Sequence, residues 1–318
     1  MKTDYDIIII GGGPAGLTAG LYGARANLKT LSIEKYLAGG QIANTAEVED
    51  YPGFEHISGA ELAAKFESHA RKFGLEIVSD TVEEIHKDGD VFHIKTGESK
   101  LTSKAVILAT GGSPNKLHIP GEHEFAGKGV SYCAICDGAF FKNQVIVVVG
   151  GGDAAVEEGI FLTKYGSKVI LIHRRDKLRA QKIIQERAFR NPKLEFIWDS
   201  TVETINGNGK VSHIMVRNVK TGAVQRVDCG AVFVFIGFVP NSNLTREPLA
   251  TDENGYILTN ENMETSIKGL FACGDVRHQL VRQVTNAVGD ATTAAMAASK
   301  YIEELEDKAA GASQHAVK

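Results

Sequence analysis

Cysteine is scarce in this chain: four residues in 318, at 133, 136, 229 and 273, with none before residue 133. That excludes a small secreted scaffold held by disulfides, which would be far richer in them. Long apolar runs are missing too. No stretch reaches the roughly 18 residues that cross a bilayer, so a membrane-spanning role is not expected. Positive charge is not in excess either, with 35 Lys and Arg against 39 Asp and Glu and a formal net charge of -4. Such a balance gives no electrostatic case for nucleic acid or an anionic membrane as partner. An apolar strand, Tyr5 to Ile10, begins almost at once and leaves no room for a secretion leader, so the expected compartment is the cytosol.

What the chain does have is ordinary apolar content, 43%, and length enough for about two domains of roughly 150 residues. Glycine stands out, with 34 residues, several in runs such as 11–13, 39–40, 111–112 and 150–152. Clustered glycine points to close backbone approach to a ligand rather than to loose linkers.

The chain also repeats itself. Residues 5–35 read as a buried strand, a glycine turn, a small-residue helix and a second strand, and residues 145–176 read the same way. Gly11 maps onto Gly150, Gly13 onto Gly152, Gly16 onto Ala155 and Glu34 onto His173, each 139 residues apart. A second echo, Val106 to Asn115 against Val232 to Asn241, runs at an offset of 126. Before each echo lies an alternating, turn-punctuated stretch, 82–103 and 201–229, which reads as a β-meander. The expected fold class is therefore α/β, with two Rossmann-like dinucleotide-binding domains carrying inserted meanders, the second domain inserted into the first. The expected boundaries are 1–117, 118–243 and 244–318. A helix is expected from about Gln283 to Leu305, and the last dozen residues as a frayed tail.

The first fingerprint is Gly11-x-Gly13-x-x-Gly16, after a strand and opening a helix, with Glu34 at the next strand end. Its glycines let the backbone approach a pyrophosphate, and the helix N-terminus supplies N–H groups and a positive dipole end. Glu34 would accept hydrogen bonds from ribose hydroxyls, which requires that no 2′-phosphate be there. The plain alternative is a glycine turn needed only for packing. The second fingerprint is Gly150-x-Gly152-x-x-Ala155, where His173 replaces the acid and Arg174, Arg175 and Arg179 follow. Losing the acid and gaining forked donors favours a 2′-phosphate, hence NADPH over NADH. The plain alternative here is a solvated basic helix start, with Lys177 and Lys182 nearby.

Three features favour FAD in the first site. The strand Thr265 to Asp275 ends in Gly274-Asp275, whose carboxylate could bind ribitol or ribose hydroxyls. Gly39-Gly40-Gln41-Ile42 could wrap the flavin end. Arg282-Gln283-Val284 begins the C-terminal helix, whose N–H groups could stabilise charge on reduced flavin. Each has a packing alternative of its own.

Cys133 and Cys136 stand in the order Cys-Ala-Ile-Cys-Asp137. At this spacing, near a helix N-terminus, one thiol can be a thiolate at neutral pH. Thiolate attack on a disulfide gives a mixed disulfide, which the second cysteine resolves, and Asp137 could shuttle a proton. A zinc site would need four ligands, but Cys229 and Cys273 are isolated in apolar strand contexts and read as packing residues, so no metal is expected.

These motifs together resemble the low-molecular-weight thioredoxin reductases of the pyridine nucleotide–disulfide oxidoreductase class, over essentially the whole chain from Ile7 to Leu305. The most specific parts are Cys133 to Gly138, His173-Arg-Arg-Asp-x-x-Arg179, and Cys273-Gly-Asp-Val276 with Arg282-Gln283. In larger relatives, such as glutathione reductase, the cysteine pair sits in the first domain, where this chain has no cysteine. The resemblance implies FAD and NADPH as cofactors, with Cys136 as the flavin-proximal thiol, Cys133 as the thiol that attacks thioredoxin and Asp137 as proton donor. It also implies a homodimer, and a rotation of the NADPH domain between half-reactions about hinges near 114–121 and 240–246. Around the fingerprints, the expected FAD contacts take in Pro14, Ala15, Lys35, Asn44 and Val82, with Ala109, Thr110 and Gly111. The expected NADPH contacts add Asp153, Ala154, Ile236 and Gly237. Three rivals remain: a reductase of a glutaredoxin-like or peroxiredoxin-system disulfide, a regulatory nucleotide-binding protein without turnover, and an NADPH-dependent flavin oxidase.

Overall fold

The computed structural model describes residues 3–45 and 48–315, with side chains as far as residue 308. The chain divides into two compact units: one takes residues 1–43, 47–113 and 239–318, the other 114–238 together with 44–46.

The first unit opens with β1 (Tyr5–Ile10), α1 (Pro14–Arg25), β2 (Thr30–Glu34), α2 (Gly59–Lys72), β3 (Glu76–Ser79), β4 (Val82–Asp88), β5 (Val91–Thr96) and β6 (Lys100–Leu108). Strand β1 lies between β2 and β6, parallel to both, and Ile7 to Ile10 are buried. A strand covered on both faces needs such a continuous apolar run. Helix α2 starts on a side-chain cap: the Ser58 hydroxyl accepts from Glu61 N–H at 3.2 Å, and His69, Arg71 and Lys72 fill the last turn. β4, β5 and β6 form the antiparallel meander read from the alternation. A short strand, β7 (Gly112–Pro114), follows.

The second unit contains β8 (Val130–Ser131), α3 (Ala134–Asp137), β9 (Val145–Gly150), α4 (Asp153–Leu162), β10 (Lys168–Ile172), α5 (Lys182–Arg190) and β11 (Leu194–Ile197). Then come β12 (Ser200–Gly207), β13 (Val211–Asn218), β14 (Val224–Asp228) and β15 (Ala231–Phe235). Its main sheet runs β11-β10-β9-β15-β8, all parallel, and β12-β13-β14 make a separate antiparallel sheet.

A strand β16 (Phe238–Pro240) pairs with β7, and β17 (Leu270–Ala272) and α6 (Val284–His315) complete the first unit. β17 pairs in parallel with Val106–Leu108 of β6, while the other end of β6 pairs with β5. The fold is α/β with two parallel-sheet, dinucleotide-binding-type units. Among the described residues, no helix is long and apolar enough to cross a membrane.

One expectation needs correction. The C-terminal helix does not stop near Leu305 but continues to His315, so most of the expected frayed tail is helical; residues 316–318 lie outside the described residues. The stretch from Glu306 to Gln314 is mostly Ala, Glu, Lys and Gln, strong helix formers, and Lys104 ties Glu306 at 2.6 Å to the sheet.

α6 packs against α1 through small residues. Ala291, Ala294 and Ala298 are fully buried in one cluster with Ala15 and Ala19. Replacing Ala291 by Leu should overfill that seam and lower stability by about 1–3 kcal/mol, read as a lower urea midpoint with an unchanged slope.

Candidate functional site

The two fingerprint turns share their geometry. Gly11 has φ +111°, and a side chain there would put its Cβ 2.3 Å from the Ala109 carbonyl oxygen. At Gly16 a Cβ would lie 1.8 Å from the Gly11 carbonyl oxygen. Gly13 differs: its only neighbour within 4 Å is the Gly40 Cα at 3.8 Å. In the second unit a Cβ at Gly150 would lie 2.3 Å from the Phe235 carbonyl oxygen, and nothing comes within 4 Å of one at Gly152. Here Ala155, buried, takes the third position. So the first glycine makes the tight turn, the third position packs helix on strand, and the middle one leaves room for a pyrophosphate. Gly13 and Gly152 are the N-cap residues of α1 and α4, and neither helix start has a side-chain cap. Their N-terminal N–H groups suit an anion. Both turns fit a dinucleotide.

The strand ends that would read the ribose differ. The Glu34 carboxylate accepts from Gly12 N–H at 2.6 Å and from Tyr36 N–H at 2.9 Å, which holds it beside the first turn. Lys35 follows with its ammonium 5.3 Å from the Tyr36 ring centre. In the second unit the His173 ring is buried against Gly151, where a Cβ would sit 2.3 Å from its Nδ1. Gly12 and Gly151 thus belong to the machinery, a role the sequence reading overlooked although the 139-residue offset pairs them. Burial, with Arg179, Arg174 and Arg175 around it, holds the His173 imidazole below its ordinary pKa; a contact to Gly150 works the other way. Arg179 N–H donates to the Gly151 carbonyl at 2.7 Å, and Asp153 accepts from Gln181 N–H at 2.7 Å. The basic segment is therefore fastened to the turn. Arg174 and Arg175 are exposed, as is Ala154 in the first turn of α4.

A third element completes the first unit's site. Gly274 has φ +71°, and a Cβ there would lie 2.9 Å from that of Ala15, behind Pro14 at the start of α1. Buried Asp290 of α6 accepts from Gly274 N–H at 3.2 Å and from the Arg277 guanidinium at 3.1 Å. Gln279 donates to the Gly274 carbonyl at 3.1 Å and accepts from Asn286 at 2.6 Å. The sequence reading missed this network; its members are scattered polar residues without a motif. Burial pushes the Asp275 carboxyl above its ordinary range, with Arg282 opposing and Asp290 adding to the effect. Arg282 lies 4.0 Å over the Tyr256 ring, and Gln283 and Val284 open α6, the Gln283 carbonyl accepting from Ala287 N–H.

The remaining expected flavin contacts fall into two groups. Gly40 (φ +56°) lies against Gly13 and begins the turn Gly40–Asn44, and Gln41 donates to the Gly112 carbonyl at 3.3 Å. Ala109 N–H donates to the Ile10 carbonyl, and Thr110 Oγ1 donates to the Asn241 carbonyl at 2.7 Å beside Gly111. Val82 is set apart: its side chain is buried in the core, so only its backbone can face a ligand. In the second unit Gly237 (φ +100°) follows half-buried Ile236 at the end of β15.

Cys133 and Cys136 are joined by a disulfide with Cα atoms 5.4 Å apart. Cys133 caps the four-residue helix α3, and Cys136 N–H points at its sulfur at 3.2 Å. Cys133 and Asp137 are half-buried and Cys136 is exposed. Asp137 borders a cleft of about 290 Å³ with Lys128, Phe140 and Lys210, and Phe140 is 76% exposed. Cys229 and Cys273 are buried and not disulfide-bonded; burial pushes the Cys229 thiol up to about 12 and raises that of Cys273 as well. Neither can serve as a nucleophile near neutral pH.

Comparison with known proteins agrees in outline. A family model described as pyridine nucleotide-disulphide oxidoreductase matches residues 5–291. The chain is similar to the thioredoxin reductase of Bacillus subtilis, 49% identical over 304 residues, which are 95% of this chain and 96% of that protein. Among solved structures it is similar to Lactococcus lactis thioredoxin reductase, at a TM-score of 0.93 and 48% identity over 95% of this chain and 100% of that one. T. acidophilum thioredoxin reductase gives a TM-score of 0.90 at 32% identity, over 94% of this chain and 99% of that one.

The buried, pKa-lowered His173 has a consequence for pH dependence. The unfolded chain takes up this proton as pH falls through about 6.5, while the folded chain resists it, so stability drops below that value. His173→Gln should flatten the fall in urea stability between pH 7.5 and 5.5.

Proposed function

The chain belongs to the pyridine nucleotide-disulphide oxidoreductase family, and on that premise we propose that it is an NADPH-dependent, FAD-carrying thioredoxin reductase. One observation carries the reading. The Cys133–Cys136 disulfide sits in the same unit as the fingerprint whose ribose-reading position is His173 followed by arginines, while the glutamate-bearing fingerprint lies in the other unit. In this reading FAD is held by the first turn, Glu34, the Gly274–Asp275 turn and the start of α6. NADPH is held by Gly150, Gly152, His173 and the arginines of 174–179.

Held there, FAD would supply a two-electron relay from NADPH to the Cys133–Cys136 bond, which with two protons opens to two thiols. The chain's own residues do the rest. The Cys133 thiolate attacks one sulfur of the partner's disulfide; that bond breaks, and the partner's other sulfur leaves as a thiolate that Asp137 can protonate. Cys136 then displaces the partner from Cys133, which restores the intramolecular disulfide and releases a reduced dithiol protein. The cleft beside Asp137, with the exposed Phe140 ring and two lysines, offers an apolar anchor and positive charge to that partner. Rotation of the NADPH domain between half-reactions, a homodimer and a cytosolic setting belong to the same proposal, on the family resemblance.

The purified protein should show a flavin spectrum that bleaches on NADPH and recovers on oxidised thioredoxin. Cys136→Ser should still bleach but lose thioredoxin turnover by at least a factor of about 1,000, since no second thiol resolves the mixed disulfide. Turnover with a glutaredoxin-like disulfide but not with thioredoxin would move the assignment to that rival. Arg174→Ala with Arg175→Ala should raise KM for NADPH about 10- to 100-fold, the worth of a charged hydrogen bond, and leave KM for NADH nearly unchanged.

A further inference from the structure

Glu122 is a carboxylate 4% exposed, and none of its partners is a cation. It accepts from Leu117 N–H at 2.8 Å, from His118 N–H at 2.7 Å and from the Tyr132 hydroxyl at 2.8 Å. Its surroundings are tightly held. His118 has φ +55°, and Gly121 packs so closely on β12 that a Cβ would lie 1.9 Å from the Ile205 carbonyl oxygen. Ile205 N–H also donates to the Pro120 carbonyl at 3.0 Å. Glu122 is thus bolted to the body of the second unit, and Tyr132 is bolted to Glu122.

Tyr132 is the residue before Cys133. Its ring packs into the core cluster around Phe125, Val130 and Val232. Burial and the Glu122 hydrogen bond raise the phenol's pKa, so the hydroxyl remains a donor at neutral pH. Tyr132 is the bend between β8 and α3, and Cys133, extended (φ -139°, ψ 106°), is the N-cap that follows it, so an anchored Tyr132 side chain fixes the backbone from which Cys133 departs. Ser131 adds a local brace, its hydroxyl accepting from Cys133 N–H at 3.1 Å.

We propose that Glu122 and Tyr132 are a positioning pair for the redox loop, holding the root of Cys133 so that the opened dithiol keeps its two sulfurs within closing distance. Closure of the disulfide is intramolecular, and its equilibrium depends on the effective concentration of one thiol at the other. Without the anchor, the segment before Cys133 gains freedom in the dithiol state that the closed ring denies it. The balance then shifts toward dithiol. The proposal rests on reading Cys133 and Cys136 as the reactive pair.

The test is an equilibrium with dithiothreitol. Its two thiols open the Cys133–Cys136 bond, giving two electrons and two protons and becoming a cyclic disulfide. Holoenzyme with the native residues, Tyr132→Phe and Glu122→Gln are each equilibrated over a range of reduced to oxidised dithiothreitol. Free thiols at 133 and 136 are then alkylated and counted by mass. Both variants should favour the dithiol by about three- to tenfold over the native protein, the size of one net hydrogen bond; tenfold corresponds to about 30 mV. An equilibrium unmoved in either variant overturns the proposal, whatever the melting temperature does, because a purely structural bond would change stability alone. The measurement needs neither NADPH nor a protein partner, so its failure is separate from a failure of the thioredoxin reductase reading.

Discussion

A carbonyl oxygen pressed against a glycine is the contact on which both nucleotide turns depend. In the first unit the Ala109 carbonyl lies where a Cβ on Gly11 would be; in the second the Phe235 carbonyl does the same to Gly150, each at 2.3 Å. These two contacts join the two sequence echoes. Gly11 and Gly150 belong to the 139-residue repeat, while Ala109 and Phe235 belong to the 126-residue one. In each unit the neighbouring strand runs so close past the end of the first that only glycine fits, and the chain must swing at once into a helix. That swing aims uncapped helix N–H groups at the carboxyl ends of parallel strands, where open α/β sheets bind their ligands.

On this shared frame the two units diverge at the strand end beside the turn. Glu34 folds back over Gly12 and His173 over Gly151, so the same steric slot receives an anion in one unit and an imidazole in the other. The glutamate is held by backbone N–H groups. The histidine is buried among arginines that disfavour its protonation. A neutral ring there leaves the positive field to Arg174, Arg175 and Arg179 alone, and a guanidinium fork suits a phosphate better than a point charge does. The same slot thus carries a carboxylate in one unit and a ring flanked by arginines in the other.

The parts legible in the sequence were those that local physics repeats: continuous apolar strands, glycine turns, the alternating meanders and the short Cys-x-x-Cys spacing. Each is set by neighbours within a few residues. The parts that stayed hidden are long-range. Asp290 reaches Gly274 across a gap of 16 residues, with Arg277, Gln279 and Asn286 bound to the same turn, and no spacing marks them. No motif marks Glu122 in the sequence, and only the fold shows it buried on Tyr132. The misjudged end of α6 has another cause. Small and charged residues after Leu305 read as a tail by composition, yet the same residues are good helix formers once a long helix is already nucleated and docked.

Placing one unit within the chain of another raises the question of how the first unit survives the interruption. Asn241 answers it. Its backbone N–H donates to the Gly111 carbonyl at 3.0 Å, its carbonyl accepts from Thr110 Oγ1 at 2.7 Å, and its side chain donates to the Thr110 carbonyl at 2.9 Å and accepts from Ser113 at 2.8 Å. The chain that leaves near residue 113 is thus tied to the chain that returns near 239. With its ends held together, an inserted body adds little closure entropy to the host, because that cost grows only with the logarithm of loop length. The insert mirrors the arrangement: Asn115 N–H donates to the Gly237 carbonyl at 2.9 Å, which joins its own two ends. Each unit is closed by the asparagine of one echo on the glycine of the other, and β17 can then return to β6 as though nothing had intervened.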